Sequence, residues 1–191
     1  NSTGNLLISS ISNKGIYEVV IEKGSKTCEV VTTCSGKGKT FIVFSDDLDK
    51  ALASMVLANG AAATGQKVTM FFTFWGLNIL RKSNSPKVKK SLMDKLFGFM
   101  MPKGAENLTL SKMNMGGIGS VMMKQVMKNK NISTLKELID AAQKSGIKFI
   151  ACNMSMDVMG IKPEELIDGV EIGGVAKYIT ETNSANSNLF I

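Results

Sequence analysis

Histidine is absent from this chain. That removes Ser-His-Asp and Cys-His catalysis, imidazole proton shuttles and histidine-based zinc sites together. Arginine is almost absent too: Arg81 stands alone, so lysine carries nearly all of the basic charge behind a formal net charge of +7. Sequence-specific DNA readers use arginine for bidentate contacts to guanine and phosphate, so nucleic acid is not expected as a partner. The lysines read as a solvated surface, or as a dock for an acidic partner or a phosphorylated cofactor. Cysteine is sparse. Cys28, Cys34 and Cys152 make no C-x-x-C pair and no disulfide framework, and such an odd, low count suits a reducing compartment. No run reaches the roughly 18 apolar residues of a membrane span. The first residues lack the charged-then-apolar pattern of a signal peptide. The expectation is a soluble, cytoplasmic protein with no membrane span, no metal and no resident cofactor.

What is present is ordinary globular material, 44% hydrophobic and 20% charged over 191 residues, enough for one core and a small appendage. Residues 1–23 read as a β-hairpin, with runs Leu6 to Ile11 and Ile16 to Ile21 flanking the turn Ser12-Asn13-Lys14-Gly15. Residues 24–39 shift to Gly, Ser, Thr and Lys and read as a linker, in which Cys28 and Cys34 are incidental thiols or a redox pair. The main domain is expected over residues 40–182. Thr40 to Phe44 predicts a buried strand, and Asp47 to Ala63 a helix with Leu48, Ala51, Leu52, Met55, Val56 and Ala58 on its apolar face. Lys67 to Trp75 predicts the next strand, completing a β-α-β unit.

Residues 77–131 form a long insertion rich in lysine and methionine, with Pro102-Lys103-Gly104 breaking it. Insertions of this length usually serve as a lid or an oligomer surface. Gly116-Gly117-Ile118-Gly119 follows no predicted strand, so it fails as a dinucleotide fingerprint. A helix starting at Ser133 or Thr134 carries Leu135, Leu138, Ile139 and Ala142 as its buried stripe; a Thr134 cap completes a capping box with Glu137. A helix Glu164 to Ile167 with Pro163 at N1, a short strand from Val170 to Ile172 and a last helix through Val175, Tyr178 and Ile179 follow. Residues 183–191 read as a polar tail that frays. Alternating strands and helices predict one α/β domain with a mostly parallel sheet.

The chemical lead is the stretch Gly146 to Pro163. The apolar run Ile147 to Ala151 predicts a strand buried on both faces, and Cys152 stands at its carboxyl end, where open parallel sheets place ligands and reactive groups. A loop is expected next. Its residues Asn153, Met154, Ser155, Met156, Asp157, Met159 and Gly160 would support or shape a pocket around the thiol. Without histidine, activation falls to a helix N-terminus, such as the one after Pro163, or to Lys148 or Lys162. Three readings stay open: a buried structural cysteine, a persulfide carrier sheltered by methionines, and a Cu(I) site built on the C-x-M-x-M-x-x-M spacing of Cys152, Met154, Met156 and Met159.

Several motifs in order carry a family likeness: T-F-I-V-F-S-D-D-L-D-K-A, M-F-F-T-F-W-G-L-N, M-M-P-K-G, S-K-M-N-M-G-G-I-G, A-C-N-M-S-M-D-V-M-G-I and E-L-I-D-G-V-E-I-G-G-V-A-K-Y. From about Lys39 to Thr180 the chain resembles the DsrE/DsrF-like family, in the branch often fused to rhodanese, TusA and pyridine-nucleotide disulfide reductase domains. The resemblance implies a three-layer α/β/α fold, a homo-oligomer, and a sulfur carrier or sulfurtransferase role in intracellular sulfur trafficking. It makes Cys152 the persulfide-bearing position, with sulfur donors or acceptors of rhodanese or TusA type. Residues 1–23 resemble the end of a TusA-type domain, without the Cys-Pro motif and first helix of that domain. The alternative is a non-catalytic module that binds an acidic partner or nucleotide cofactor through Lys87, Lys89 and Lys90, or serves oligomerisation.

Overall fold

A computed structural model describes residues 6–12, 15–21, 38–84, 88, 92, 94, 98 and 100–191. The chain divides into two units, Asn1–Gly36 and Lys37–Ile191. In the first, β1 (Leu6–Ser12) and β2 (Gly15–Ile21) pair antiparallel, with Ser12 opposite Gly15 at the turn. Cys28, Cys34, Lys87, Lys89 and Lys90 lie outside the described residues.

In the second unit, β3 (Gly38–Val43), β4 (Val68–Phe72), β5 (Lys148–Cys152), β6 (Val170–Gly173) and β7 (Ala185–Phe190) form one sheet in the order β6-β5-β4-β3-β7. Every neighbouring pair is parallel. From β3 to β6 the chain steps across the sheet in one direction, and right-handed crossovers therefore put its helices on one face. These are α1 (Leu48–Ala63), α2 (Ile118–Asn129), α3 (Leu135–Lys144) and α4 (Asn153–Met159). Leu48, Met55, Leu135, Ile139, Met156 and Met159, drawn from α1, α3 and α4, pack with Phe41, Phe72 and Phe149 of the sheet into the large core. The step from β6 to β7 runs the opposite way, so the same handedness sends α5 (Val175–Asn183) to the other face. There Tyr178 packs on Phe71, Ile150 and Cys152 in a much smaller cluster. The result is the expected three-layer α/β/α fold, with one face thickly covered and the other covered by α5.

Local chemistry explains several boundaries. Thr134 accepts the Glu137 backbone N–H at 3.3 Å while Glu137 accepts the Thr134 N–H at 2.7 Å, so Thr134 and not Ser133 caps α3. The Gly-rich segment is structural: a Cβ on Gly119 would stand 2.0 Å from the Met113 carbonyl oxygen. It leads into α2, with Gly117 as the residue before the helix.

Four expectations change. The strand predicted over Lys67 to Trp75 ends at Phe72, because Phe74–Leu80 coils into a 3-10 helix. The loop expected after Cys152 is α4. The helix expected after Pro163 is a single 3-10 turn, Pro163–Glu165. Residues 183–191 do not fray: they hold the end of α5 and β7. As an edge strand β7 needs little more than backbone pairing to β3, so it tolerates Asn and Ser: Asn186 faces solvent, and Asn188 Oδ1 accepts from the Thr40 hydroxyl.

Candidate functional site

The carboxyl edge of the sheet gathers the chemistry. Side chains alternate along a strand, so Lys148, Ile150 and Cys152 share the α5 face of β5, while Phe149 and Ala151 enter the large core. Cys152 is the free cysteine among the described residues and is only 1% exposed. The thiol is thus roofed by the Tyr178 ring and walled by Ile150 and Phe71, not set at the mouth of a pocket. Tyr178 is itself fixed: its ring lies 5.0 Å from that of Phe71 and its hydroxyl 3.2 Å from Thr40 Oγ1.

Around the thiol the backbone turns tightly. Cys152 is the residue before α4 and has extended geometry, but its side chain makes no cap hydrogen bond. Its register partner on β6 is Gly173, where a Cβ would stand 2.6 Å from the Lys177 side chain. The aliphatic stem of Lys177 therefore crosses the strand end beside Cys152, while its ammonium bonds Glu171 at 2.7 Å. On the β4 side, Thr73 Oγ1 and Ser155 Oγ lie 2.8 Å apart and tie the first turn of α4 to the sheet. The next residue, Phe74, holds φ +46°, a left-handed conformation that costs a bulky residue about 1–3 kcal/mol and tends to persist at functional sites.

The activating groups expected from sequence are elsewhere. Lys148 lies four residues before Cys152, about 13 Å along the strand. Its ammonium bonds Glu181 at 2.9 Å and Glu171 at 3.3 Å, and the Glu181 bond above all holds its pKa above the usual lysine range. Those lysines in turn hold both glutamates below the usual carboxylate range, Glu181 mainly through Lys148 and Glu171 mainly through Lys177. The Pro163 turn is too short to supply a helix field. What Cys152 does adjoin is the start of α4.

The supporting residues scatter by side. Met156 and Met159 enter the large core, Ser155 is buried on Thr73, and Asn153, Met154 and Asp157 point to solvent. Gly160 ends α4 in the left-handed conformation. The helix thus sends two of the three methionines to the far face from Cys152, and the spacing read as a soft-metal set does not converge. Gly173 and Tyr178, which do adjoin Cys152, carry no chemical signal of their own; only a strand order brings them there. A second constellation, for which the sequence carries no local signal, links half-buried Asp46 to buried Asn78, Arg81 and Glu165 by hydrogen bonds. Among the described residues, no helix is long and apolar enough to cross a membrane.

Comparison with known proteins bears on this geometry. The sequence model of the DsrE/DsrF/DrsH-like family matches residues 36–190. YrkE of Bacillus subtilis (strain 168), an uncharacterized protein, is 48% identical over 155 residues, which is 81% of this chain and 97% of YrkE. The sulfur carrier protein DsrE2 of Allochromatium vinosum is 35% identical over 159 residues, 81% of this chain and 98% of DsrE2. Among solved structures, the ychN protein from E. coli aligns with 81% of this chain and 99% of its own, at a TM-score of 0.47 and 14% identity.

Proposed function

Because the chain belongs to the DsrE/DsrF/DrsH-like family, we propose that it is a sulfur carrier in which Cys152 accepts sulfur as a persulfide and passes it to a partner thiol. The observation that carries this reading is the position of Cys152: the free thiol among the described residues, at the carboxyl end of a central strand and at the start of α4. A relative at 35% identity that is a sulfur carrier supports it.

The chemistry needs no redox partner. The Cys152 thiolate attacks the outer sulfur of a donor persulfide, R–S–SH; a new S–S bond forms on Cys152, the donor S–S bond breaks, and R–S⁻ leaves. An acceptor thiolate then attacks the outer sulfur of Cys152–S–SH, takes it as its own persulfide, and returns Cys152 as thiolate. The site favours the bound state of the sulfur. Ile150, Phe71 and Tyr178 exclude water from it, and the dry, polarizable surroundings protect a species that oxidants and reductants both attack. Burial imposes a condition as well: α5 or the first turn of α4 must move to admit either partner. Such opening of a low-stability element is common at sites that bind and release. Partners of rhodanese or TusA type, a homo-oligomeric state and a cytoplasmic location belong to this proposal.

The test is direct. Incubation with a low-molecular-weight persulfide donor, followed by intact-mass and peptide mass spectrometry, should place one added sulfur atom on the peptide holding Cys152. Transfer to an acceptor thiol should then regenerate the starting mass. If Cys152→Ser gains and passes on sulfur as well as the native protein, the reading is wrong.

A further inference from the structure

From Asn107 to Lys136 the chain carries five lysines and no acidic residue. Within this segment α2 is oddly placed for an amphipathic helix. It buries Ser120 and Met127, while Ile118, Met122 and Val126, at helical spacing, are 60%, 63% and 46% exposed. Beside it, between α2 and the start of α3, runs a groove of about 750 Å³. Buried Leu48, Met127 and Leu135 form its floor; Val121 and Ile132, both largely exposed, form apolar walls. Lys124, Lys128 and Lys136 stand along its rim.

The rim charge is only partly used. Lys124 and Lys136 converge on Glu106, the first on its carbonyl oxygen and the second on its carboxylate at 3.6 Å. Glu137 also lines the groove, but its carboxylate is turned onto the Thr134 backbone. Lys112, Lys128 and Lys130 have no ion-pair partner among the described residues.

We propose that this groove, with the outward stripe of α2, docks an acidic amphipathic segment of a partner protein. An apolar floor with a basic rim matches a ligand carrying apolar anchors on one side and carboxylates on the other, the helix-in-groove mode of recognition. Three competing occupants fit less well. A small molecule filling the groove leaves Ile118, Met122 and Val126 uncovered. A second copy of the same face opposes lysine to lysine, and like charges at an interface are costly. An anionic membrane favours interfacial helices with Trp, Phe or Leu on the apolar face, whereas residues 101–148 contain no aromatic side chain and the face is Met, Val and Ile. Methionine-rich surfaces instead suit adaptable protein recognition.

The location gives the proposal its use. Leu48 and Leu135 belong to the large core, so the groove lies on the α1 and α3 face at the carboxyl edge of the sheet, while Cys152 lies on the α5 face. A partner held in the groove leaves the thiol face free.

The probe is a fluorescein-labelled helical peptide with leucines at i, i+3, i+4 and i+7 and glutamates elsewhere, read by anisotropy against the full chain. Saturable binding is expected, weakened by roughly tenfold or more in Val121→Glu, Ile132→Glu and Lys128→Glu, a loss readily resolved in a titration. Cys152→Ser should bind like the native chain. All three substituted groove residues are exposed enough to leave the fold intact, which circular dichroism checks. Equal binding of a scrambled peptide of the same composition overturns the proposal, since charge alone then suffices. So does capture by phosphatidylserine vesicles with no peptide binding, or a dimer in sedimentation velocity that Met122→Glu abolishes.

Discussion

Arg81 Nη2 lies 3.4 Å from Glu165 Oε1, and both side chains are almost wholly shielded from water. The pair has neighbours on both sides. Arg81 Nη1 donates to Asn78 Oδ1 at 3.4 Å, and Asn78 Nδ2 donates to Asp46 Oδ2 at 2.9 Å. Four stretches that the chain keeps far apart meet here: the turn after β3, the 3-10 helix after β4, the middle of the insertion at Pro102 and the turn before β6. Burial holds the Asp46 carboxyl above its usual range, partly offset by the Asn78 hydrogen bond. The chain's single arginine is thus a clamp at the base of its long insertion.

Glu165→Gln leaves a buried guanidinium without its counter-charge, and removing one member of such a pair costs about 3–5 kcal/mol. Arg81→Met combined with Glu165→Leu should cost less than Glu165→Gln alone, because no uncompensated charge remains. Urea denaturation of the two variants decides between a charge clamp and mere packing. Equal losses in single and double variants speak for packing.

Much of this architecture is legible locally, and what is not has a common cause. The box of Thr134 and Glu137, the stripe of α1 and the apolar run before Cys152 are each written in a few adjacent residues. The stretch Asn153–Met159 misleads because Met154, Met156 and Val158 alternate with polar residues, the period of a strand. The helix buries Ser155, Met156 and Met159 instead, at i, i+1 and i+4. The side that Cys152 faces is set still less locally. It depends on α5 returning over the sheet to β7, and therefore on strand order. The tail misleads for the same reason, since an edge strand needs a neighbour's backbone more than an apolar sequence.

The roof over Cys152 should respond to pH through Glu181. Lys148 and Lys67 hold its carboxyl low, so its contribution to stability is fully present above the ordinary glutamate pKa of about 4.3. It is lost as pH falls through the lowered native value. Lys148 behaves oppositely: its raised value means stability present below the ordinary lysine pKa of about 10.4 and lost as pH rises through the native one. Glu181→Gln should lower the urea midpoint at pH 7, and the gap to the native protein should close below about pH 4. At pH 7 the same substitution should speed alkylation of Cys152 by roughly three- to tenfold, since loosening α5 lowers the cost of local opening. An unchanged labelling rate rules out α5 as the cover that moves.

Gly76 is bound by a close approach. A Cβ there would stand 2.1 Å from the Val43 carbonyl oxygen, while the Gly76 N–H donates to the Phe44 oxygen at 2.7 Å. Neither strand end can give way without breaking the β3–β4 register at the edge that carries the site. Gly76→Ala should therefore cost at least about 2 kcal/mol, toward the upper end for single substitutions. Gly60→Ala, where a Cβ meets nothing within 4 Å, should be neutral or stabilising in the same thermal melt.

The Thr73–Ser155 pair offers the sharpest test of how the thiol's surroundings are held. Ser155 is fully buried at the start of α4, and its hydroxyl meets that of Thr73 at 2.8 Å. Ser155→Ala strands the Thr73 hydroxyl and Thr73→Val strands that of Ser155; each should cost about 1–3 kcal/mol. The double variant removes both polar partners and should cost clearly less than the sum, a coupling that a double-mutant cycle measures. The pair also has a role that stability alone does not report. If it fixes the first turn of α4 over Cys152, both single variants should expose the thiol faster than their loss of global stability accounts for. Alkylation rates compared with urea-derived free energies separate the two effects. A labelling rate that follows global unfolding alone makes the pair a packing detail, and leaves α5 as the element whose opening exposes the thiol.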